Sequence, residues 1–267
     1  IRTQQARAPW PHVVLVLFPW FVFQIREELS NAGIVFTLTK FVDDPRIIGL
    51  IASSNQAFGL LVGAFISLIS DSLWTRRGRR SPFLIFSFFA SAILCSFIPH
   101  LEEFALVVAV ILAYQLVVDL STPFEPLTME VIPSRQRGRA GTIVQWYKAA
   151  GYVFLYWFLI GNFDETYTLP GGIALSGEVV AYTVNSLFLL AAGCLILFAV
   201  KEEKPDVALA SRVRDIPVWN LFKGLFTRDM FPLFGLAFVM FNLWVGLGSF
   251  EALMITEQWG FSKAEYG

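Results

Sequence analysis

The sequence predicts an all-α polytopic membrane protein, and three observations lead there. Hydrophobic residues make up 56% of the 267 and charged residues 15%, against about 45–50% and about 25% in soluble domains. The mean hydropathy is +0.62. Seven stretches, roughly 13–38, 47–69, 83–99, 104–127, 141–160, 179–200 and 231–256, are apolar enough to read as spans. A bilayer core of about 30 Å calls for about 20 such residues per helix. Each run is continuous rather than alternating, which selects helices over barrel strands.

The same numbers exclude other classes. With 27 Phe and 8 Trp, a soluble chain would expose large apolar patches. A net charge of −1 and a pI of about 6.2 exclude a basic nucleic-acid binder. Cys95 and Cys194 lie in apolar runs and read as small hydrophobes, too few for a disulfide framework. The first span has no small-residue cleavage site, so it is expected to stay in the mature chain, and a start upstream of Ile1 is expected.

Lys and Arg set the orientation. Arg2 and Arg7 precede the first span; Arg76, Arg77, Arg79 and Arg80 fill the second-to-third loop; Arg135, Arg137 and Arg139 fill the fourth-to-fifth. With Lys201, Lys204, Arg212, Arg214, Lys223 and Arg228 after the sixth span, that side holds 15. The other side holds Lys40, Arg46 and Lys263, while Arg26 and Lys148 lie within spans. The N-terminus is therefore expected in the cytoplasm of a multi-pass cell-membrane protein. Residues 201–229 form a charged linker with Pro205 and Pro217, and Val218 to Phe226 reads as an amphipathic interfacial helix. Phe18-Pro19 recurs as Phe231-Pro232, and Gly33 as Gly246 at the same offset, a faint sign that the seventh span opens a second half.

On the second span, Asn55, Gly59, Gly63 and Ser67 recur every four residues and form a small-residue ridge suited to close helix contact. Asp71 continues it, followed by four arginines within nine residues. A carboxylate at a helix end beside guanidiniums reads as a charge latch between helix termini, with a plain positive-inside anchor as the alternative. The stretch SDSLWTRRGRRSPF, from Ser70 to Phe83, resembles the signature loop of the major facilitator superfamily. More narrowly it resembles the glycoside–pentoside–hexuronide symporters and plant-type sucrose transporters, through Ser70, Asp71, Arg76, Gly78, Arg79, Arg80, Pro82 and Phe83. Ser67 stands where that group has Gly, and Ser72 where it has Arg. PSRQRGRA, Pro133 through Ala140, resembles the group's fourth-to-fifth loop.

The resemblance implies two six-helix bundles working by alternating access, with substrate at the midplane between them. Residues 1–200 would be the N-terminal bundle, 201–229 the cytoplasmic linker, and 230–267 the first helix of a C-terminal bundle whose remainder is missing. Asp71, Arg76, Gly78, Arg79, Arg80 and Arg137 would form the cytoplasmic gate.

Charges inside spans cost roughly 2.5–3.5 kcal/mol each on insertion scales, so each asks for a partner or a function. At 100° per residue, Trp20, Gln24, Glu27 and Asn31 share a face of the first span, flanked by Glu28, while Arg26 points towards a neighbouring helix. Gln115, Asp119, Thr122 and Pro126 align on the fourth span; Gln145, Lys148, Tyr152 and Tyr156 align on the fifth. Three wet stripes are what a central aqueous cavity requires. Asp119 and Lys148 sit at matching depth, about 10–12 Å in, and are expected to face each other, either as a structural ion pair or as a breakable pair in proton coupling.

Arg26 and Lys148 face five acids, Glu27, Glu28, Asp119, Glu125 and Glu251, which leaves at least one carboxylate without a partner. A low-dielectric site favours the neutral form of a carboxyl group, the chemistry of proton coupling, and Glu27 or Glu28 is the first choice. The second span carries Asn55 and Gln56 but no acid, so a sodium site is not expected there.

For substrate, Trp20, Gln24, Asn31, Gln115, Gln145, Tyr152 and Tyr156 combine rings with amides, which suits a sugar. A single cavity cation, Lys148, disfavours phosphorylated substrates. No HExxH, GxSxG or phosphate-cradling glycine loop is present, so no enzyme, cofactor or metal is expected. The expectation is a monomeric proton-coupled symporter of a sugar or glycoside, with small solute, protons and the lipid bilayer as its partners. Alternatives are an antiporter or exporter of drugs or organic acids, and a sensor that binds without transporting.

Overall fold

The computed structural model describes residues 8–72, 74–168, 172, 174–202, 232–233, 235–236, 239–240 and 251–266. Arg2 and Arg7, the linker from 203 to 229 with its expected interfacial helix, and the echo at Phe231 and Gly246 lie outside the described residues. The described chain is mostly helical.

Helix α1 runs as Trp10–Leu17, Pro19–Glu28, a π-helical turn Leu29–Gly33, and Ile34–Leu38. Pro19 has no N–H to give, so the chain bridges the break through Phe18 N–H to the Leu15 carbonyl at 3.2 Å. Helix α2 comprises Pro45–Phe58, the π-helical Gly59–Gly63 and Ala64–Ser72. Helix α3 is Ser81–Phe97, with Pro82 in its first turn where a missing donor costs nothing, closed by the 3-10 turn Ile98–His100. Helix α4 is Phe104–Asp119 and, after a turn ending at Pro123, Phe124–Val131. Helix α5 is Arg137–Phe154, continued by the π-helical Leu155–Ile160, and α6 is Gly177–Ala199. The π-helical Met254–Gln258 and the short helix Lys263–Tyr266 end the described chain.

The wholly helical expectation missed one element. Between α5 and α6, β1 (Thr166–Thr168) pairs antiparallel with β2 (Ala174–Ser176), Thr166 opposite Ser176. Ser176 then caps α6, its Oγ accepting from Val179 N–H at 3.3 Å.

Three of the described helices are long and apolar enough to cross a membrane: Ser81–His100, Phe104–Val131 and Gly177–Ala199. Their outward faces carry Phe86, Ile93, Phe97, Leu106, Leu187 and Phe198, each half or more exposed. Such a surface would aggregate in water and suits hydrocarbon. Apart from the hairpin, the described residues form an all-α membrane protein. In α1 and α5 the apolar run is interrupted by Arg26, Glu27 and Glu28, and by Gln145 and Lys148.

Helix α1 packs against α5 and α6, α3 against α4 and α6, and α2 against α4. The core between them takes Val22 and Ile25 from α1, Phe88 from α3, Tyr114 from α4, Leu155 from α5 and Leu189 from α6, all at 1% exposure or less. In lipid, such contacts depend on close approach rather than on water exclusion. The α2 ridge faces α4: a Cβ on Gly63 would lie 2.9 Å from Thr122 Oγ1, and one on Gly59 3.5 Å from Asp119 Oδ1. Of the cysteines, Cys95 is buried and accepts from Asn185 Nδ2 at 3.2 Å. Cys194 is exposed on the outer side of α6, so only Cys95 is a core residue.

Candidate functional site

Helices α1 and α5 lie side by side and parallel. Lys148 Nζ stands over the Trp20 ring, 4.5 Å from its centroid. One level on, Gly151 faces Gln24, and at the next Tyr156 donates to Glu28 Oε2 at 3.2 Å. Glu28 also accepts from Gln24 Nε2 at 2.8 Å through its other oxygen. Asn31, in the π-helical turn, stays beside Glu28. The seam on α5 is therefore met by residues four apart on α1: Trp20, Gln24 and Glu28.

This corrects the expected α1 face. Glu27 does not share it with Gln24, because residues 24, 27 and 28 straddle the boundary between two packed sides. Glu27 turns to the other side, where with Arg26 and Ser30 it meets Asn55 and Gly59 of α2 and Val118 and Asp119 of α4 around a cavity of about 160 Å³. Arg26 Nη1 donates to Ser121 Oγ at 2.8 Å, and the guanidinium lies over the Phe23 ring at 4.2 Å. Arg26 Nε, Asn55 Oδ1 and Asp119 Oδ2 are buried without a hydrogen-bond partner. Each such group costs about 1–3 kcal/mol, more when charged, unless something occupies the space between them.

Two further expectations change. Asp119 and Lys148 form no ion pair: equal depth is not equal face, and Asp119 looks to α1 and α2 while Lys148 lies on α1's opposite flank. Gln115 lines neither the polar cavity nor the larger one; it is fully buried on α4, accepting from Ser54 Oγ of α2. Gln145 is exposed on α5. Tyr152 and Tyr156, with ring centroids 4.5 Å apart, line a larger cavity of about 340 Å³ closed by side chains from 251–266.

At the other end of α5 lies the charged loop. Asp71, at the end of α2, accepts from Arg80 Nη2 at 2.8 Å and Nε at 3.2 Å, with Arg79 Nη1 at 3.6 Å. Glu130, in the last turn of α4, pairs with Arg79 and with Arg80 Nη1, the latter at 2.9 Å. Glu202 closes the arrangement from beyond α6. It accepts from the backbone N–H groups of Arg79 (2.9 Å), Arg80 (3.1 Å) and Ser81 (2.7 Å), and from Ser81 Oγ (2.6 Å). These are the unpaired donors at the start of α3, and a carboxylate there is favoured by the helix dipole.

Gly78 makes the approach possible: its φ of +116° suits glycine, and a Cβ would stand 2.5 Å from Glu202 Cδ. Arg76 and Arg77 are exposed and outside this network. So is Arg137, whose Nε donates to the Ile132 carbonyl at 3.1 Å. Glu202→Ala is expected to lower stability by up to about 2 kcal/mol through loss of this cap. Thermal unfolding in detergent reads it, and an unchanged midpoint would remove the cap from the account.

Sequence reasoning missed Glu130 and Glu202 as members of the loop network. An acid in the last turn of a helix opposes the dipole and needs a basic neighbour, a signal that singles out Glu130. Glu202 has no such local sign. No protein-family model matches the chain, and no curated protein matches it.

Proposed function

We propose that the chain belongs to a proton-coupled secondary carrier of the major facilitator type, moving a sugar or glycoside by alternating access. The observation that carries this reading is the polar cavity between α1, α2 and α4. Arg26, Glu27, Asn55 and Asp119 surround about 160 Å³ within otherwise apolar helices, three of their polar atoms unsatisfied. Ionisable groups at that depth are retained for ion or substrate pathways. Asp119 and Glu27 take and release the proton, and Arg26 holds whichever carboxylate is charged. The resemblance of the loops at Ser70–Phe83 and Pro133–Ala140 supports the carrier architecture, and the rings and amides along α1 and α5 support a sugar.

The test is uptake of labelled di- and monosaccharides into proteoliposomes of the full-length protein, with a pH gradient, a sodium gradient or neither. Accumulation driven by the pH gradient alone is expected. Sugar uptake driven by sodium alone, or none by folded protein, would overturn the reading.

A further inference from the structure

The cavity of about 340 Å³ at the far end of α5 has a lining unlike that of the polar cavity. Tyr152 and Tyr156 form one wall, Tyr266 meets Tyr156 edge-on at 5.6 Å, and the exposed Trp259 also lines the cavity. Among the described residues, the charged groups on its wall are Glu251 and Glu265, and no described lining residue is Lys, Arg, Asn or Gln. Glu251 has no hydrogen-bond or ion-pair partner among the described residues. Glu265 accepts from Ser262 N–H and Oγ through Oε2, leaving Oε1 for the cavity. Glu28 adds a third carboxylate behind the Tyr156 hydroxyl.

The nearest basic side chain by sequence, Lys263, is turned away. Its Nζ is paired to Asp164 at 2.7 Å and lies 5.3 Å from the Phe36 ring centroid.

Ring faces attract cations through their quadrupole, and carboxylates accept hydrogen bonds without donating any. A neutral polyol could donate to these exposed carboxylates and meet the tyrosine hydroxyls, but it would gain neither charge pairing nor the attraction of the ring faces for a cation. A ligand carrying an ammonium group would satisfy rings and carboxylates together. We propose that this cavity binds an organic ammonium ion, held between the tyrosine rings and Glu251. Two sources share that chemistry: a simple quaternary or alkyl amine, and an amino sugar whose C–H face stacks on Trp259. The inference goes beyond the carrier reading: it gives this cavity a cationic ligand and does not depend on which solute is carried. It is read by equilibrium binding without transport, so its failure is distinct from a failure of pH-driven uptake.

The experiment is calorimetric titration of the full-length protein in nanodiscs with two matched pairs, in buffer acid enough to keep the amines protonated. The pairs are choline against its neutral isostere 3,3-dimethylbutan-1-ol, and glucosamine against glucose. The charged member of at least one pair is expected to bind about tenfold more tightly, a cation–π and ion-pair gain of the usual size. Preference within the choline pair alone assigns a simple amine; preference within the glucosamine pair assigns an amino sugar. Glu251→Gln, whose fold is checked by its melting midpoint, is expected to erase most of that preference. Equal binding of charged and neutral members in both pairs, or an unchanged preference in Glu251→Gln, would overturn the proposal.

Discussion

Replacing Asp119 with asparagine is expected to abolish pH-driven accumulation while sparing exchange of solute across the membrane. Asp119 lies beside Arg26 and Glu27 around a small polar cavity, with Oδ2 unsatisfied. Asparagine keeps the shape and the hydrogen-bonding capacity but cannot be protonated, so the carrier would cycle without linking its turnover to the proton. With one proton per solute, a gradient of one pH unit supports about tenfold accumulation, and the variant should fall to none. Counterflow of labelled sugar in the same vesicles checks that binding and reorientation survive. Lys148→Gln is the contrasting case: its ammonium rests on Trp20, away from the cavity, so its effect on counterflow should be the same with or without Asp119→Asn. Wild-type accumulation by Asp119→Asn would end its role in coupling.

A large effect on stability is expected at Gly151. A Cβ there would lie 2.7 Å from the Phe21 carbonyl oxygen and 3.0 Å from Gln24 Cβ, so the obstacle is the backbone of α1 rather than a movable side chain. Gly151→Val is expected to cost about 3 kcal/mol, the upper end for overpacking. Gly151→Ala should cost less, because alanine recovers about 1 kcal/mol of helix propensity while making the same Cβ contact. Melting curves in detergent give the order. The same spreading would lengthen the Tyr156–Glu28 hydrogen bond, now 3.2 Å, one level above. A Gly151→Val protein that melts with the wild type would show that α1 and α5 are not locked at this point.

The apolar runs made most of the helices legible. Expected spans at 83–99, 104–127 and 179–200 correspond to helices at Ser81–His100, Phe104–Val131 and Gly177–Ala199, because continuous apolarity leaves little other choice in lipid. Asp71, Arg79 and Arg80 were legible because they are close in sequence and end up in contact.

Faces were harder. Residues three and four apart on α1 fall on either side of a packing boundary, so periodicity alone could not separate Glu27 from Glu28. The π-helical turns at Leu29–Gly33 and Leu155–Ile160 shift the register beyond them in a way that a fixed 100° step does not follow. Depth along two helices placed Asp119 level with Lys148 but carried no information on which neighbour each helix meets. The hairpin at Thr166–Ser176 is too short to leave a strand pattern.

The network at Arg79 and Arg80 has a consequence in time. Glu130 lies 51 residues after Arg79, and Glu202 lies 122 residues after Arg80. While the chain is being synthesised, the arginines emerge before these two acids exist, with Asp71 as their one acidic neighbour. Acidic residues contribute little to the retention of a basic loop during insertion, so the loop exerts its full topogenic pull at that stage. Once Glu130 and Glu202 arrive, three carboxylates gather around the two guanidiniums and the first turn of α3, and the charge of Arg79 and Arg80 is matched while Arg76 and Arg77 stay exposed. On the proposed topology, the same two arginines would help orient the nascent chain first and join its finished helices afterwards.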